Sequence, residues 1–244
     1  MPKIKDGYMK LLALETSTEN CSVALKNNEK IVFRSISAAQ KHAEMILPMI
    51  DEVLKEAKVS KDELDGIVLS TGPGSFTGVR IAASTAQGIA LALDKKVALV
   101  TSLKALAIEA LSNTQTTPDY IVSSIDARMG EVYLAVYKLD ENRNLTLLDE
   151  ERVLKPVDAV NKVKELVNGS NNLIGAGTGI AIINEASTDG DIAVLESIAY
   201  FPKAQYILTE GQRKFETGDI VEAQDALPLY VRNEVTWKKV SEQH

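Results

Sequence analysis

The chain is poor in the side chains that many hydrolytic and metal-dependent sites need. Its 244 residues include two histidines, His42 and His244, and one cysteine, Cys21. A zinc site of the HExxH type needs two histidines on one helix face, and a Ser-His-Asp relay needs one beside an activated serine. The sequence fits neither arrangement, and a single cysteine excludes a disulfide within the chain. We expect Cys21 to be a reduced core residue because it lies in an apolar stretch.

Long hydrophobic runs and a positive net charge are also absent. No apolar run approaches the length of about 18 residues that a membrane span requires, and MPKIKDGYMK at the start lacks the apolar core of a secretion signal. The formal net charge is −7, whereas free-standing nucleic-acid binders usually carry a basic surface. These features predict a cytoplasmic protein without membrane contact that reaches RNA only through a partner.

Short strands alternate with helices along the chain, which indicates an α/β fold. The first half opens with three strands that we interpret as an antiparallel meander: Lys10 to Glu15, Cys21 to Leu25 and Lys30 to Ser37. A second set of strands follows the polar stretch Ser112 to Pro118. The chain therefore divides into predicted halves at 9–111 and 112–244, which indicate a duplicated architecture without a sequence repeat.

The remaining segments follow the same alternation. In the first half we predict a helix over Lys41 to Lys58, a strand over Gly66 to Ser70, a helix over Phe76 to Leu93, a strand over Val97 to Thr101 and a helix capped by Ser102. In the second half we predict strands at Tyr120 to Ile125, Glu131 to Leu139 and Leu145 to Leu154, a helix from Pro156 to about Val167, and a strand at Leu173-Ile174.

The two longest predicted helices suggest a surface that needs covering. The first has an apolar face at Ala43, Leu47, Ile50, Leu54 and Ala57. The second carries one charge, Arg80, from Val79 onwards and is otherwise small or apolar around most of its circumference. A helix that is apolar on every side must be covered on every side. The cover is either the sheet alone or a subunit interface formed with the first helix, where Met45 and Met49 lie off the apolar face.

A glycine-rich loop, STGPGSFTGVR over 70–80, joins a strand to the second helix. Gly72, Gly74 and Gly78 permit backbone angles and close approaches that a side chain would block, and Ser75 is the natural N-cap of the helix. The spacing is neither GxGxxG nor GxxxxGK[ST], and no lysine follows the glycines, so a phosphate-binding P-loop is not predicted. The glycines either serve the fold or receive an anion or another protein's backbone.

Two polar turns are candidates for ligand contact. Thr16, Ser17 and Thr18 lie in the first hairpin, where their hydroxyls and amides either contact a nucleotide phosphate or only shape the turn. Asp126 lies in the matching turn of the second half, where its carboxylate either holds a metal-bound water or caps the hairpin. His42 begins a helix, and we interpret it as a hydrogen-bonding or interface residue.

Several motifs in register resemble one known family. They are LLALETSTENCSVAL, KHAEMILPMIDEVL, STGPGSFTGVRIA, DARMGEVYLAVY and LPLYVRNEVTWKK. Together they resemble the bacterial TsaB family, also called YeaZ. The resemblance is specific from Met9 to about Tyr137, loose from there to Ala223 and specific again in the tail, and the residues Met1 to Tyr8 precede the usual family start.

The resemblance implies an α/β fold of the actin-like ASKHA class. Such a fold has two ferredoxin- or ribonuclease-H-like halves with mixed sheets flanked by helices. It also implies a non-catalytic scaffold that binds the related subunit TsaD. With TsaE, that complex transfers a threonylcarbamoyl group to N6 of the adenosine 3′ of the anticodon in tRNAs that read ANN codons. The family pairs with itself when TsaD is absent, and tRNA is contacted only through the complex.

The resemblance also assigns residues. The expected partner interface comprises His42, Met45, Ile46, Met49, Ile50, Val53, Arg80, Ala83, Ala86, Gln87 and Ala90. Thr16, Ser17, Thr18 and Asp126 match the two phosphate loops of the fold, and Gly72, Gly74, Ser75 and Gly78 form a structural loop. No metal and no intrinsic cofactor are expected, and ATP or ADP stays open as a ligand at the partner interface. The alternatives are a small-molecule kinase of the same fold and, less favoured by the histidine count, a glycoprotease-like peptidase.

Overall fold

The computed structural model describes residues 9–38, 40–188, 192–193 and 195–231, and two mixed β-sheets organise them. The first sheet has the strand order β3-β2-β1-β4-β5. Its strands are β1 (Lys10–Glu15), β2 (Asn20–Asn27), β3 (Lys30–Ser37), β4 (Gly66–Ser70) and β5 (Lys96–Val100). The first three strands form the predicted antiparallel meander, and β4 and β5 continue the sheet in parallel with β1.

The second sheet repeats this plan in part. Its order is β10-β6-β7-β8, and β9 also pairs with β7. The strands are β6 (Tyr120–Arg128), β7 (Glu131–Leu139), β8 (Leu145–Leu147), β9 (Arg152–Leu154) and β10 (Leu173–Ala176). Strands β6 and β7 form an antiparallel hairpin, and β10 joins β6 in parallel, as β4 joins β1 in the first sheet.

Helices cover the faces of both sheets. The six α-helices of the described ranges are α1 (His42–Ala57), α2 (Phe76–Ala92), α3 (Ser102–Asn113), α4 (Pro156–Val167), α5 (Gly179–Ala186) and α6 (Ala204–Thr217). Side chains of α1 and α2 pack on the face of β1 that carries Leu12 and Leu14. Side chains of α6 pack on the opposite face, which carries Leu11 and Ala13. Because β1 is buried on both faces, its sequence KLLALE is a nearly continuous apolar run.

Helices of the two predicted halves pack across the boundary near residue 112. Leu103 and Leu106 of α3 pack against strands of the second sheet, while Ile207 and Leu208 of α6 pack against the first. The chain then stays with the first half: Val221 pairs with Val97 of β5 through backbone hydrogen bonds of 2.8 and 3.0 Å.

These features confirm the predicted α/β fold with mixed sheets flanked by helices, and most of the predicted element bounds. Two local predictions were wrong. Thr101, not Ser102, caps α3, because its hydroxyl accepts from the amide of Lys104 at 3.1 Å. The single strand predicted over 145–154 is two short strands separated by a polar stretch that includes Asp149. The helices α5 and α6 were not predicted. No helix in the described ranges is both long and apolar enough to cross a bilayer.

Candidate functional site

The glycine loop packs directly on the first polar turn. A Cβ atom added at Gly74 would lie 2.1 Å from the carbonyl oxygen of Ser17, and one added at Gly78 would lie 2.0 Å from that of Thr16. The amide of Ser75 donates to the carbonyl of Ser17 at 2.6 Å, and the Ser75 hydroxyl caps α2 by accepting from the amide of Gly78 at 3.3 Å. Gly74 and Gly78 therefore serve a close backbone contact, and the predicted N-cap is confirmed.

Gly72 has a different role in the same loop. It adopts a φ of +94°, in the left-handed region that favours glycine. Its carbonyl oxygen accepts from the amide of Ser102 at 2.7 Å, which ties the loop to the first residue of α3. The predicted structural loop therefore links α2, α3 and the first hairpin.

A cleft of about 760 Å³ separates the turns of the two halves. One wall carries Ser17, Thr18, Glu19 and His42, and the other carries Asp126 and Arg128 among other residues. The structure thus brings most of the candidate ligand residues of the two polar turns to opposite walls of one cleft. Thr16 is the exception: it is fully buried, and its hydroxyl donates to the carbonyl of Gly78 at 2.7 Å.

An ion-pair bridge crosses the cleft. The Arg128 guanidinium donates to Glu19 of the first hairpin at 2.7 Å and to Asp126 of its own hairpin at 3.1 Å. Arg128 adopts a φ of +62°, and its amide donates to the Asp126 carboxylate at 2.8 Å. The charged side chains that line the cleft are thus two carboxylates and one guanidinium, which leaves an excess of one negative charge.

This arrangement does not fit a nucleotide phosphate. The amide of Ser17 donates to the carboxylate of Glu15 at 2.5 Å, and the amide of Asn20 donates to the hydroxyl of Thr18 at 3.4 Å. Phosphate sites in such turns rely on free backbone amides and positive charge. These two amides are already hydrogen-bonded and the lining is acidic. The cleft therefore does not offer a nucleotide phosphate the donors and positive charge that it needs.

A buried carboxylate underlies the first turn. Glu15 is fully buried and accepts from the amide of Ser17 and the hydroxyl of Ser70. Burial raises the pKa of Glu15, and the hydrogen bonds from Ser17 and Ser70 oppose that rise. Burial and the Glu15 charge together raise the pKa of the Cys21 thiol to about 11. Cys21 is therefore a free, buried and poorly nucleophilic core residue, as predicted.

His42 and Ser17 do not form a nucleophile–base pair. Nε2 of His42 and the hydroxyl of Ser17 are both buried, and neither has a hydrogen-bond partner within the described ranges. They are consequently not hydrogen-bonded to each other, whereas activation of a serine requires that bond. The same ranges contain no group of three histidine, cysteine or acidic side chains placed to hold a metal ion.

The predicted partner interface lies mostly inside the fold. Seven of its residues are less than 5% exposed: Ile46, Met49, Ile50, Val53, Ala83, Ala86 and Ala90. They pack on the first sheet within the main core, so they are not available as surface contacts, and a charge at Ala86 would disturb the fold. His42 is also buried, and Met45 is half-buried. Arg80 is exposed and Gln87 half-buried, so both remain on the surface.

The outward faces of these helices differ from the predicted ones. On α1, Leu47 belongs to the predicted apolar face but is 57% exposed. Met49 lies off that face but is buried. Two overlapping apolar stripes run along this helix, and the structure buries the one that contains Ile46 and Val53. On α2, Ala82, Ala83, Ala86 and Ala90 are buried in the core, whereas Leu91 is 74% exposed.

Sequence similarity to a curated relative shows the family of this chain. Over 232 residues, the chain is 34% identical to "tRNA threonylcarbamoyladenosine biosynthesis protein TsaB" of Escherichia coli K12, covering 95% of this chain and 98% of that protein. The chain belongs to the TsaB family. The TsaB protein of Haemophilus influenzae is 35% identical over 241 residues, covering 94% of this chain and 96% of that protein.

Two further comparisons found similar proteins. The family model "TsaD: tRNA N6-adenosine threonylcarbamoyltransferase" matches residues 35–237. A crystal structure of a Pseudomonas aeruginosa protein described as similar to peptidase YEAZ superposes with a TM-score of 0.78 at 34% identity. It covers 92% of this chain and 100% of that one.

One buried acid of this TsaB-family chain was missed in the sequence. Glu151 precedes β9, and one of its carboxylate oxygens accepts from the hydroxyls of Thr101 at 2.5 Å and Tyr137 at 3.2 Å. Its other oxygen is buried without a partner in the described ranges. Burial raises the pKa of Glu151 to about 7, against the opposing hydrogen bonds and the charge of Lys104. The surrounding letters DEER resemble an ordinary polar turn, so no sequence signal marks this residue.

We predict that Gly78→Ala destabilises the chain and that Gly88→Ala on the same helix does not. The Cβ at residue 78 would collide with the Thr16 carbonyl, whereas the one at residue 88 would meet nothing within 4 Å. We expect a loss of about 2 to 4 kcal/mol in the free energy of unfolding for Gly78→Ala, and a gain of up to about 1 kcal/mol for Gly88→Ala. Chemical denaturation measures both. Equal effects of the two variants would contradict the close contact.

We predict that Glu151→Gln stabilises the chain above pH 7. The folded-state pKa of Glu151 is about 7, above its ordinary value of 4.5, so its protonated form is favoured by folding. Wild-type stability therefore falls as pH rises from about 4.5 to 7. The advantage of Glu151→Gln grows over the same window and reaches about 2 to 3 kcal/mol, since one pKa unit is worth about 1.4 kcal/mol.

The matched control for this prediction is Glu150→Gln. Glu150 is the neighbouring residue, its side chain is 73% exposed, and it forms a surface ion pair with Arg152. We expect its effect on stability to stay within a few tenths of a kcal/mol across the same pH range. Thermal or chemical unfolding between pH 4.5 and 8 measures both variants, and a flat difference between wild type and Glu151→Gln would contradict the raised pKa.

Proposed function

We propose that this chain is a non-catalytic partner subunit in the biosynthesis of tRNA threonylcarbamoyladenosine. Its relatives in Escherichia coli and Haemophilus influenzae are named for that pathway, and the matching family model describes a threonylcarbamoyltransferase. In this proposal the chain binds a TsaD-family enzyme through the outward faces of α1 and α2. With TsaE, the complex transfers threonylcarbamoyl to N6 of the adenosine 3′ of the anticodon in tRNAs that read ANN codons.

The exposed apolar surface of α1 and α2 carries the proposal. Leu47 is 57% exposed and Leu91 is 74% exposed. Leu47 and Ile89 line a shallow groove of about 180 Å³ with mostly aliphatic neighbours, and the ion pair of Lys61 and Asp51, 3.2 Å apart, borders it. A surface that combines exposed leucines, an apolar groove and a charged border is typical of protein interfaces.

The cleft supports assigning catalysis to the partner. A kinase of this fold would need free backbone donors and positive charge for ATP. At the first turn the amides of Ser17 and Asn20 already donate within the chain, and the lining of the cleft carries an excess negative charge. A peptidase would need an activated nucleophile, and Ser17 has no hydrogen bond to His42. The geometry of the described residues therefore favours neither alternative.

The charge of the chain supports indirect contact with tRNA. A net charge of −7 repels a polyanion unless a basic partner intervenes. We therefore assign tRNA binding to the complex, and we assign to this chain the task of holding the enzyme in an active arrangement. When the enzyme is absent, the same apolar faces pair two copies of this chain. The proposal includes no cofactor held by this chain alone.

We predict that Leu91→Glu breaks the complex with the TsaD-family subunit of the same organism. A carboxylate buried without a partner in an interface costs about 3 to 5 kcal/mol, so we expect the Kd to rise about 100-fold or more. Isothermal titration calorimetry measures the Kd, and light scattering on a gel-filtration column measures the stoichiometry. Threonylcarbamoyl incorporation into tRNA, reconstituted with TsaD and TsaE, is expected to fall in parallel.

The control variant is Val157→Glu on α4. Val157 is also a large apolar residue, 60% exposed, but it belongs to the helix that covers the second sheet. We expect its Kd to match that of the wild type. If Leu91→Glu binds as tightly as Val157→Glu, the faces of α1 and α2 do not form the interface. If the wild-type chain does not bind the subunit at all, the proposed function is wrong.

A further inference from the structure

An exposed arginine is held between two aromatic rings beside the start of α2. The guanidinium carbon of Arg80 lies 3.4 Å from the ring centre of Phe76 and 5.7 Å from that of Tyr230. Its Nε donates to the Tyr230 hydroxyl at 3.0 Å. The two ring centres are 6.4 Å apart. We call these three residues the aromatic-arginine cluster. Stacking of this kind fixes the plane of a guanidinium and removes water from its faces.

The cluster joins distant parts of the chain. Phe76 and Arg80 lie in the first turns of α2, whereas Tyr230 lies on the segment that returns to the first half. The amide of Leu229 donates to the carbonyl of Thr71 at 2.9 Å, which anchors that segment next to the glycine loop. The cluster therefore depends on tertiary structure, and sequence periodicity alone does not reveal it.

The guanidinium presents unused donors to solvent. Among the described residues, the Tyr230 hydroxyl accepts the one hydrogen bond that Arg80 donates, and no carboxylate lies within 4.0 Å of its nitrogens. Four N–H groups on the two terminal nitrogens thus remain for another partner. Four other described arginines, Arg34, Arg128, Arg152 and Arg213, each pair with carboxylates, whereas Arg143 donates to the carbonyl of Leu111 at 3.2 Å. An arginine that is held in place and lacks an anion is suited to bidentate binding of an oxyanion.

The surroundings favour a single carboxylate over a nucleic acid. Phe76 borders the cleft that contains Glu19 and Asp126. Tyr230 borders a second pocket, of about 610 Å³, that contains Glu150 and Glu151. These acids and the net charge of −7 repel a polyanion such as RNA. A single carboxylate directed at Arg80, in contrast, forms an ion pair with its guanidinium. Exposed tyrosine and arginine side chains are also typical of energetically dominant positions in protein interfaces.

We propose that the aromatic-arginine cluster receives an aspartate or glutamate side chain of the protein partner that binds α2. This inference rests on the proposed function and adds the chemistry of one contact to it. The carboxylate accepts two parallel hydrogen bonds from Arg80, and Phe76 and Tyr230 exclude water from the pair. The contact extends the interface from the groove between α1 and α2 to the returning segment of the chain.

The test compares Arg80→Gln with Arg143→Gln in binding to the TsaD-family subunit of the same organism. Arg143 is exposed on the turn before β8, so its replacement changes the net charge equally at a distant place. We expect Arg80→Gln to raise the Kd at least about tenfold and Arg143→Gln to leave it unchanged. Arg80→Lys keeps the charge but loses the planar fork, so we expect an intermediate Kd. Tyr230→Phe removes the hydroxyl and is expected to weaken binding less than Arg80→Gln.

Salt dependence separates a charge contact from a structural effect. The Kd of the wild type is expected to rise with ionic strength, and that of Arg80→Gln to rise less steeply. An equal slope for both would overturn the proposal, because the lost binding would then not involve a charge pair. Thermal unfolding of Arg80→Gln checks that the exposed substitution leaves the fold intact.

The remaining outcomes distinguish this proposal from the proposed function. If Leu91→Glu abolishes binding but Arg80→Gln binds like Arg143→Gln, the proposed function stands and the carboxylate contact is wrong. Fluorescence anisotropy measures the binding of tRNA to the complex. If Arg80→Gln weakens that binding without changing the Kd for the protein partner, the cluster contacts RNA and the proposal is overturned. If the wild-type chain does not bind the subunit, both proposals are wrong.

Discussion

The contact between the glycine loop and the first hairpin turn fixes the position of α2. Gly74 and Gly78 lie against the carbonyl oxygens of Ser17 and Thr16 at distances that no Cβ atom tolerates. One wall of the cleft, the start of α2 and the anchor of the returning segment all meet at this contact. A small displacement there would move Arg80 and Leu91 together, because both lie on the same rigid helix.

The same contact explains why the two loops present a poor phosphate site. Three backbone donors of the two loops are hydrogen-bonded within the chain: Ser17 to Glu15, Ser75 to Ser17 and Gly78 to Ser75. A phosphate would have to replace hydrogen bonds that are already formed and would approach a cleft of net negative charge. The loops therefore contribute rigidity to the fold, and this suits the proposed role of a subunit that holds another protein in place.

The sequence was most informative where one periodicity dominated. Strand β7 alternates cleanly, and β1 to β4 were predicted within a few residues, because strand patterns of period two have few alternatives. In α1, two apolar stripes overlap, and the sequence alone does not say whether Leu47 or Ile46 faces the sheet. Glu151 and Tyr230 could not be recognised, because their roles arise from contacts with Thr101 and Arg80 that are distant along the chain.

The burial pattern of α2 differs from that of a usual amphipathic helix, which buries its large apolar side chains. Ala82, Ala86 and Ala90 are buried against the sheet, while Phe76 is 58% exposed and Leu91 is 74% exposed. Small inner residues let the helix lie close to the strands, but they leave the largest apolar side chains in water. Covering each of these would recover about 1.5 to 3 kcal/mol. The fold of this chain alone does not bury these exposed side chains. The remaining hydrophobic stabilisation is therefore gained only when a partner covers the outer face of α2.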